Sequence, residues 1–419
     1  MPKTHVDFRG NCVLINGEPV YSDVPYSNPK THGMLMNARF IQGIFDDKAD
    51  PKRFARFGHA TYDPEANTDA LIAALPQWYR FGLRAFTVGL QGGGPCLTID
   101  DWSSIDNNPF GPDGSAFDPA YEKRLDRLIQ AADQQGMVVI VSFLYQAQVH
   151  RFSSDDAIRR AVETASRMLK SNGYSNVIIE VANEHTVGQF AHHPVISSPE
   201  GAASLIQLAQ RHSQMPVGCS GGGGEAQRIV NEPADLILIH GNGCTRQQLF
   251  KTIKKAESWA MDKPIVCNED SPCIGQLEVA FATGASWGYY NNMTKQEPPA
   301  DWRITQGEDQ FFAQRLANAI GLEVPRLRDE AQYYLQGFEE PMTVNGQRWI
   351  RLASLYPESI NYVEFYRNGQ WVDTAYDEPF SCGYLNNWMQ SSFLVEPNDL
   401  WEAKIHLRSG DVQSRRVEM

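Results

Sequence analysis

Val177-Ile-Ile-Glu-Val-Ala-Asn-Glu184 is an apolar run that breaks abruptly into an asparagine and a glutamate. A second stretch, Pro264-Ile-Val-Cys-Asn-Glu269, ends in the same pair. Neither run alternates between apolar and polar residues in the way of a half-exposed strand. Continuous apolar runs of this length suit strands covered on both faces, as in a parallel sheet. Each glutamate then stands where a buried strand emerges at its C-terminal end.

The sequence around these two runs repeats the pattern. From residue 38 to about 320, short apolar runs alternate with amphipathic stretches, the signature of βα units. Eight strands are expected: Arg39–Phe45, Ala85–Leu90, Val138–Phe143, Val177–Val181, Val217–Cys219, Leu236–His240, Pro264–Cys267 and Ala285–Tyr290. Between them, Asn67–Phe81, Pro119–Gln135 and Asp155–Ser171 place apolar residues at three- and four-residue spacing. Gly82, Gly136 and Gly173 follow these helices, where a left-handed residue ends the helix before a short loop. Eight units in roughly 280 residues fit a closed (β/α)8 TIM barrel. The fifth unit is the weakest, with a short strand followed by Gly221–Gly224, and a doubly wound open sheet is the alternative.

The flanks differ. Cys12–Ile15, Asn16-Gly17 and Pro19–Tyr21 form a hairpin signal ahead of the barrel. After Gly321, residues 322–340 look like a connector, and short alternating strands follow. The expected division is residues 1–325 as hairpin plus barrel and 340–419 as a C-terminal all-β sandwich of Ig-like type. In that sandwich Trp349, Trp371, Trp388 and Trp401 are either core or sugar platforms.

Composition narrows the function classes. The 37 basic against 50 acidic residues give a net charge of −13, which repels nucleic acid and anionic membranes. No apolar stretch approaches the ~20 residues of a spanning helix. No nucleic-acid or membrane partner is therefore expected, and the sequence sets no oligomeric state. The first residues contain no secretory segment, so the expectation is a cytoplasmic protein, or a secreted one whose signal peptide has been removed. Seven scattered cysteines, Cys96 among them, contain no Cys-x-x-Cys pair and suit a reducing compartment. Cys244 and Cys273 come close enough in a barrel either to pair or to serve as small buried residues.

In a barrel of this kind the active site lies at the C-terminal ends of the strands. Glu184 and Glu269 close strands four and seven, so they face one another across the mouth. Two facing carboxyls are what cleavage of a glycosidic bond requires: one donates a proton to the leaving oxygen, the other attacks the anomeric carbon. Gln91, Tyr145, Gln146, Asp46, Asp47 and Asn242 lie at or just past strand ends, as hydroxyl-binding groups or loop caps. Glu180 shares the strand parity of Glu184 and belongs to a polar network inside the barrel. Asn268 and Asp270 flank Glu269 and are candidates for contact with the site. His185, His192 and His193 lack metal-ligand spacing, and Gly221–Gly224 lacks the residues of a phosphate loop. No metal and no cofactor is expected.

The Ile-Ile-Glu-Val-Ala-Asn-Glu of 178–184 resembles the strand-four motif of clan A glycoside hydrolases, especially family-5-like, cellulase-like enzymes. Pro264–Glu269 is similar to their strand-seven motif, and Ile15–Val20 to the hairpin with which many of them begin. The resemblance implies Glu184 as acid/base, Glu269 as nucleophile and Asn183 as a ligand of the sugar 2-hydroxyl. It implies His240 as a hydroxyl-binding residue and Trp287 as a sugar platform. A carbohydrate substrate and cleavage with retention follow from it. Three companions of that family are missing. Ala85–Gln91 has no late arginine, Leu144-Tyr-Gln146 replaces a His-Asn pair, and His240-Gly-Asn242 lacks the tyrosine of His-x-Tyr. The chain reads as a divergent member whose sugar is undecided. At neutral pH the expectation is an ionised Glu269 and a protonated Glu184, each carboxyl shifting the other. The alternative is a non-catalytic carbohydrate-binding barrel. A lyase or aldolase would require a lysine at a strand end, and strands four to eight have none.

Overall fold

The computed structural model describes the chain except for residues 1, 56–60, 96, 100, 340–342, 345, 387 and 388, so Cys96 and Trp388 lie outside the described residues. Eight parallel strands form the barrel: Asn37–Arg39, Ala85–Gly89, Val138–Leu144, Val177–Ala182, Val217–Gly218, Ile237–His240, Ile265–Glu269 and Gly288–Tyr289. Strands eight, one, two, three, four and five pair in that order, and strands six and seven form a second ladder. A parallel bridge from Val266 to Ser286 joins seven to eight. The Asp235 amide, donating 2.9 Å to the Val217 carbonyl, links the fifth strand to the segment leading into the sixth. The ring is closed, and the open-sheet alternative falls.

The first and eighth strands differ most from their expected spans, and the others shift by one or two residues at an end. The first ends at Arg39 because the chain turns at once, with Gly43 N donating to Phe40 O at 2.9 Å. The fifth and eighth are two-residue strands. In the eighth, Gly288 allows close approach to the first strand, since a Cβ there would stand 2.5 Å from Asn37 Oδ1. The helices Pro119–Gln135 and Asp155–Ser171 have the expected bounds, and the first begins earlier, at Pro64. Its start is set by Asp63, whose carboxylate accepts from the amides of Glu65 and Ala66. Gly136 ends the second helix in the left-handed conformation, φ 82°, which costs a glycine little.

The barrel strands are covered on both faces, with Phe86, Val139, Val141, Ile178, Ile179, Val217 and Leu238 all buried in one core. The N-terminal hairpin (Val6–Arg9, Cys12–Ile15, with Glu18–Pro19 added) turns through Asn16 and Gly17, both at positive φ, and docks by Val6 N to Ser175 O.

The second domain begins before residue 340. Its first strand is Tyr333–Gln336, within the stretch expected as connector, and pairs with Arg351–Ser354. A four-stranded antiparallel sheet of Gln370–Ala375, Ile360–Arg367, Leu400–Leu407 and Val412–Glu418 supplies most of the other layer. Between them lies a separate core that includes Leu335, Ile350, Phe365, Trp401 and Ile405. Trp401 and Trp349 are buried, whereas Trp371 is exposed.

The two domains are locked by charge and packing. Ala353 and Leu355 of the sandwich belong to the barrel core. Arg351 Nη2 pairs with Glu308 Oε2 at 2.8 Å, with both side chains buried. Removing one partner of such a pair strands the other charge in the interior. Arg351→Ala should therefore cost about 3–5 kcal/mol of stability, read as a lower urea midpoint. Glu308→Gln, which keeps a hydrogen-bonding partner for the arginine, should cost less.

Candidate active site

The site forms where strand ends from around the ring converge. Glu184 follows strand four, and its backbone takes φ 56°, a left-handed conformation that non-glycine residues rarely hold. Two contacts impose it: Ser220 Oγ, just beyond strand five, accepts from the Glu184 amide at 3.1 Å, and Val187 N closes a turn on Glu184 O. Glu269 ends strand seven and is 6% exposed.

One side chain bridges the two carboxylates. Asn242 Nδ2 donates to Glu184 Oε1 at 3.2 Å and to Glu269 Oε1 at 3.3 Å. His240 lies beneath them, with Nδ1 at 3.1 Å from Glu184 Oε1 and 3.4 Å from Glu269 Oε2. One oxygen from each glutamate and a His240 nitrogen all lie within 4.8 Å of one another. This is the metal-like grouping found among the described residues, but a cation already occupies its electrostatic role. Arg39 Nε contacts Glu269 Oε2 at 2.7 Å, with both side chains buried.

Arg39 is the functional residue that sequence reasoning missed. The arginine sought on strand two comes instead from the end of strand one, where it also donates to Asn183 Oδ1. The available signal was a cation inside the apolar run Asn37-Ala-Arg-Phe-Ile41. Tyr290, just past strand eight, lies under the Arg39 guanidinium at 5.7 Å and lines the same hollow.

The sequence candidates divide by burial. Asn183, Glu184, Gln146, Asn242, Glu269 and Asp270 line a hollow of about 480 Å³. His240 touches both glutamates but is fully buried, so it holds carboxylates rather than hydroxyls. Trp287 requires correction: it is wholly buried, and its Nε1 donates to Asp270 Oδ2 at 2.6 Å, so it offers no face to a sugar. Gln91 is also corrected, because its Oε1 accepts from Tyr145 N at 2.7 Å and its Nε2 donates to Asn108 Oδ1. It orients Tyr145, which does line the hollow. Trp102 also lines the hollow, its ring stacked near that of Tyr145 at 6.4 Å. A Cβ on Gly94 would stand 2.4 Å from the Trp102 ring, so glycine is needed beneath it.

Other candidates are structural. Asp47 and Asp46 pair with Arg53 and Arg124 beside their loop. Asn268 Nδ2 donates to Glu180 Oε1 at 3.0 Å, and Ser220 Oγ donates to the same oxygen at 2.6 Å. Glu180 thus sits in the buried network expected of it. His185 Nδ1 lies 3.2 Å from the Ile196 carbonyl, and His193 Nδ1 2.8 Å from Asp155 Oδ1. Cys244 and Cys273 are free thiols. Gly223 does let the chain pass close beside the cleft, since a Cβ there would stand 2.0 Å from Asn242 O.

The charges follow from this arrangement. Burial works against a charge on His240, but Glu269, Glu180 and Glu184 outweigh it and raise its pKa to about 10. Burial raises Glu180 too, yet His240 and Arg39 hold it down at about 2. The central pair runs against expectation in the ligand-free site. Burial raises Glu184, but the His240 and Asn242 hydrogen bonds bring it below the usual carboxylate range. Glu269 is pushed up to about 7 by burial, against Arg39 and His240, with Glu184 adding to the rise.

No family model matches the sequence, and no curated protein sequence matches it. Solved structures do. A candidate glycoside hydrolase from Bacteroides vulgatus superposes with a TM-score of 0.51 at 10% identity, covering 100% of this chain and 80% of that one. The fold is that of the barrel glycoside hydrolases. An endo-1,4-β-mannanase from Eisenia fetida gives a TM-score of 0.49 at 12% identity over 75% of this chain and 95% of that one. A calcium-binding mutant of Bacteroides uniformis β-glucuronidase 2 gives 0.47 at 11% identity over 99% of this chain. This chain spans 47% of that enzyme's length.

His240 should be an imidazolium at neutral pH, both ring nitrogens protonated in 15N NMR spectra, and should titrate near pH 10. Because its folded pKa is raised, its contribution to stability is complete below about pH 6.5. It is lost as pH climbs through about 10. A neutral His240 at pH 7 would contradict this electrostatic picture.

Proposed function

We propose that this chain is a retaining glycoside hydrolase, with Glu269 as nucleophile and Glu184 as general acid/base. The observation that carries the reading is the closeness of the two carboxylates. Their oxygens stand within 4.8 Å, bridged by one amide. Retaining enzymes hold their carboxyls ~5–5.5 Å apart, whereas inverting ones leave ~6.5–9.5 Å for a water.

Charge balance supplies the proton. Arg39 and protonated His240 contribute two positive charges against the three carboxyls Glu180, Glu184 and Glu269. One proton shared by Glu184 and Glu269 leaves the group neutral, which is the state the mechanism requires. In the free site that proton favours Glu269. The reactive arrangement is the other one, with the proton on Glu184, and both belong to the same singly protonated pair.

The steps follow. Glu184 gives its proton to the glycosidic oxygen as the bond from that oxygen to the anomeric carbon breaks. A Glu269 oxygen forms an ester with that carbon, and the leaving sugar departs as an alcohol. Water then attacks the same carbon and yields a proton to Glu184. The ester breaks, and Glu269 returns as a carboxylate with the anomeric configuration retained. Arg39 holds the Glu269 carboxylate in place, and Asn183, itself held by Arg39, faces the sugar.

Two outcomes are expected. Glu269→Gln should lower kcat by about 10³-fold or more with the fold intact by circular dichroism, and proton NMR of the first product should show a retained anomer. Wild-type activity in that variant, or an inverted product, would overturn the assignment. Binding without cleavage by the wild type across a glycoside panel would favour a non-catalytic sugar-binding barrel. In addition, kcat/KM should be bell-shaped in pH. It falls above about 7 as the pair loses its shared proton, and it falls in acid as the depressed Glu184 takes a second one.

A further inference from the structure

A second, larger groove adjoins the hollow that holds the two glutamates. This groove, of about 730 Å³, runs between the barrel and the sandwich. Gly243 and Ser271 line both spaces, so the loops after strands six and seven form the sill between them. One wall of the groove is barrel, from Thr245 to Gln247, and the other is sandwich.

The sandwich wall carries two large aromatic residues that no packing requirement explains. Tyr376 is 68% exposed and Tyr384 is 54% exposed. The Tyr376 ring lies 5.6 Å from that of Tyr362 in its own domain. Exposed aromatic rings beside a cleft offer apolar faces with a polar tip, the chemistry that suits the two-faced surface of a pyranose ring. The remaining lining is part apolar, with Pro357, Ile360 and Phe380, and part charged with both signs, Arg246 and Arg408 against Glu358 and Asp377. A surface of alternating sign suits a neutral ligand rich in hydroxyls better than a polyanion or an apolar peptide.

We propose that this groove binds the sugar residues of a neutral glycan chain next to the one cleaved, so that the C-terminal sandwich is part of the substrate site. The inference rests on the glycosidase reading and deepens it. It makes the substrate an oligosaccharide or polysaccharide and gives the second domain a role in specificity.

Tyr376→Ala and Tyr384→Ala test it, compared with Tyr376→Phe, which keeps the ring. The probes are aryl monoglycosides and the matching neutral oligosaccharides of the gluco, manno, galacto and xylo series. Each alanine variant should raise KM for the long substrate about five- to tenfold while leaving kcat/KM for the aryl monoglycoside unchanged. Tyr376→Phe should behave as wild type. Equal effects on short and long substrates, or none on either, would overturn the groove assignment. If the wild type cleaves no glycoside, the glycosidase reading fails separately. Titration calorimetry with the same oligosaccharides then decides the groove: binding weakened by both alanine variants supports it, and binding unchanged or absent overturns it.

Discussion

The mouth of this barrel depends on the pairing of Arg39 with Glu269. Three glutamates, Glu180 within strand four, Glu184 just past its end and Glu269 ending strand seven, are largely removed from water and share His240 as a neighbour. Carboxylates so placed cannot all ionise without compensating cations, because burial and mutual repulsion both favour the neutral form. Arg39 and His240 supply that compensation from beneath and beside the pair. The remaining imbalance is one charge, and the shared proton meets it. A cluster balanced in this way can be buried without leaving an unpaired charge.

Geometry around the pair is held by neighbours rather than by the glutamates themselves. Ser220 ties the Glu184 backbone and the Glu180 carboxylate to the same hydroxyl, so strand five positions a residue of strand four. The strained φ of Glu184 is the local cost of that arrangement. Glycines after strand five leave room for the Asn242 backbone, whose side chain spans both carboxylates. The weakest strand of the sequence reading is thus the one whose ending does most to place Glu184.

Much of the fold was legible because periodicity and punctuation agreed. The helices Pro119–Gln135 and Asp155–Ser171 have an acidic or hydroxyl cap, an apolar stripe and a stop signal, all local features. The first and eighth strands were misread because pairing with a neighbour, not composition, sets where a strand ends. The sandwich strand at Tyr333–Gln336 was misread as connector for the same reason: its partner Arg351–Ser354 lies beyond a stretch of other strands. Trp287 was misjudged because a strand-end tryptophan can face the cleft or the wall, and only packing against Phe312 and Tyr289 decides which.

The sequence by itself determined the barrel, the all-β C-terminal region and the placement of Glu184 and Glu269 at the ends of buried strands, since these rest on local pattern and on which residues terminate such strands. Tertiary structure alone decided how the glutamates are held. Arg39, Tyr290 and Trp102 are far from Glu184 and Glu269 along the chain, and ring closure brings them to one hollow. The proton's resting place was likewise a tertiary matter. It depends on desolvation and on donors contributed by several strands, and through-space electrostatics of that kind leaves no mark on local sequence.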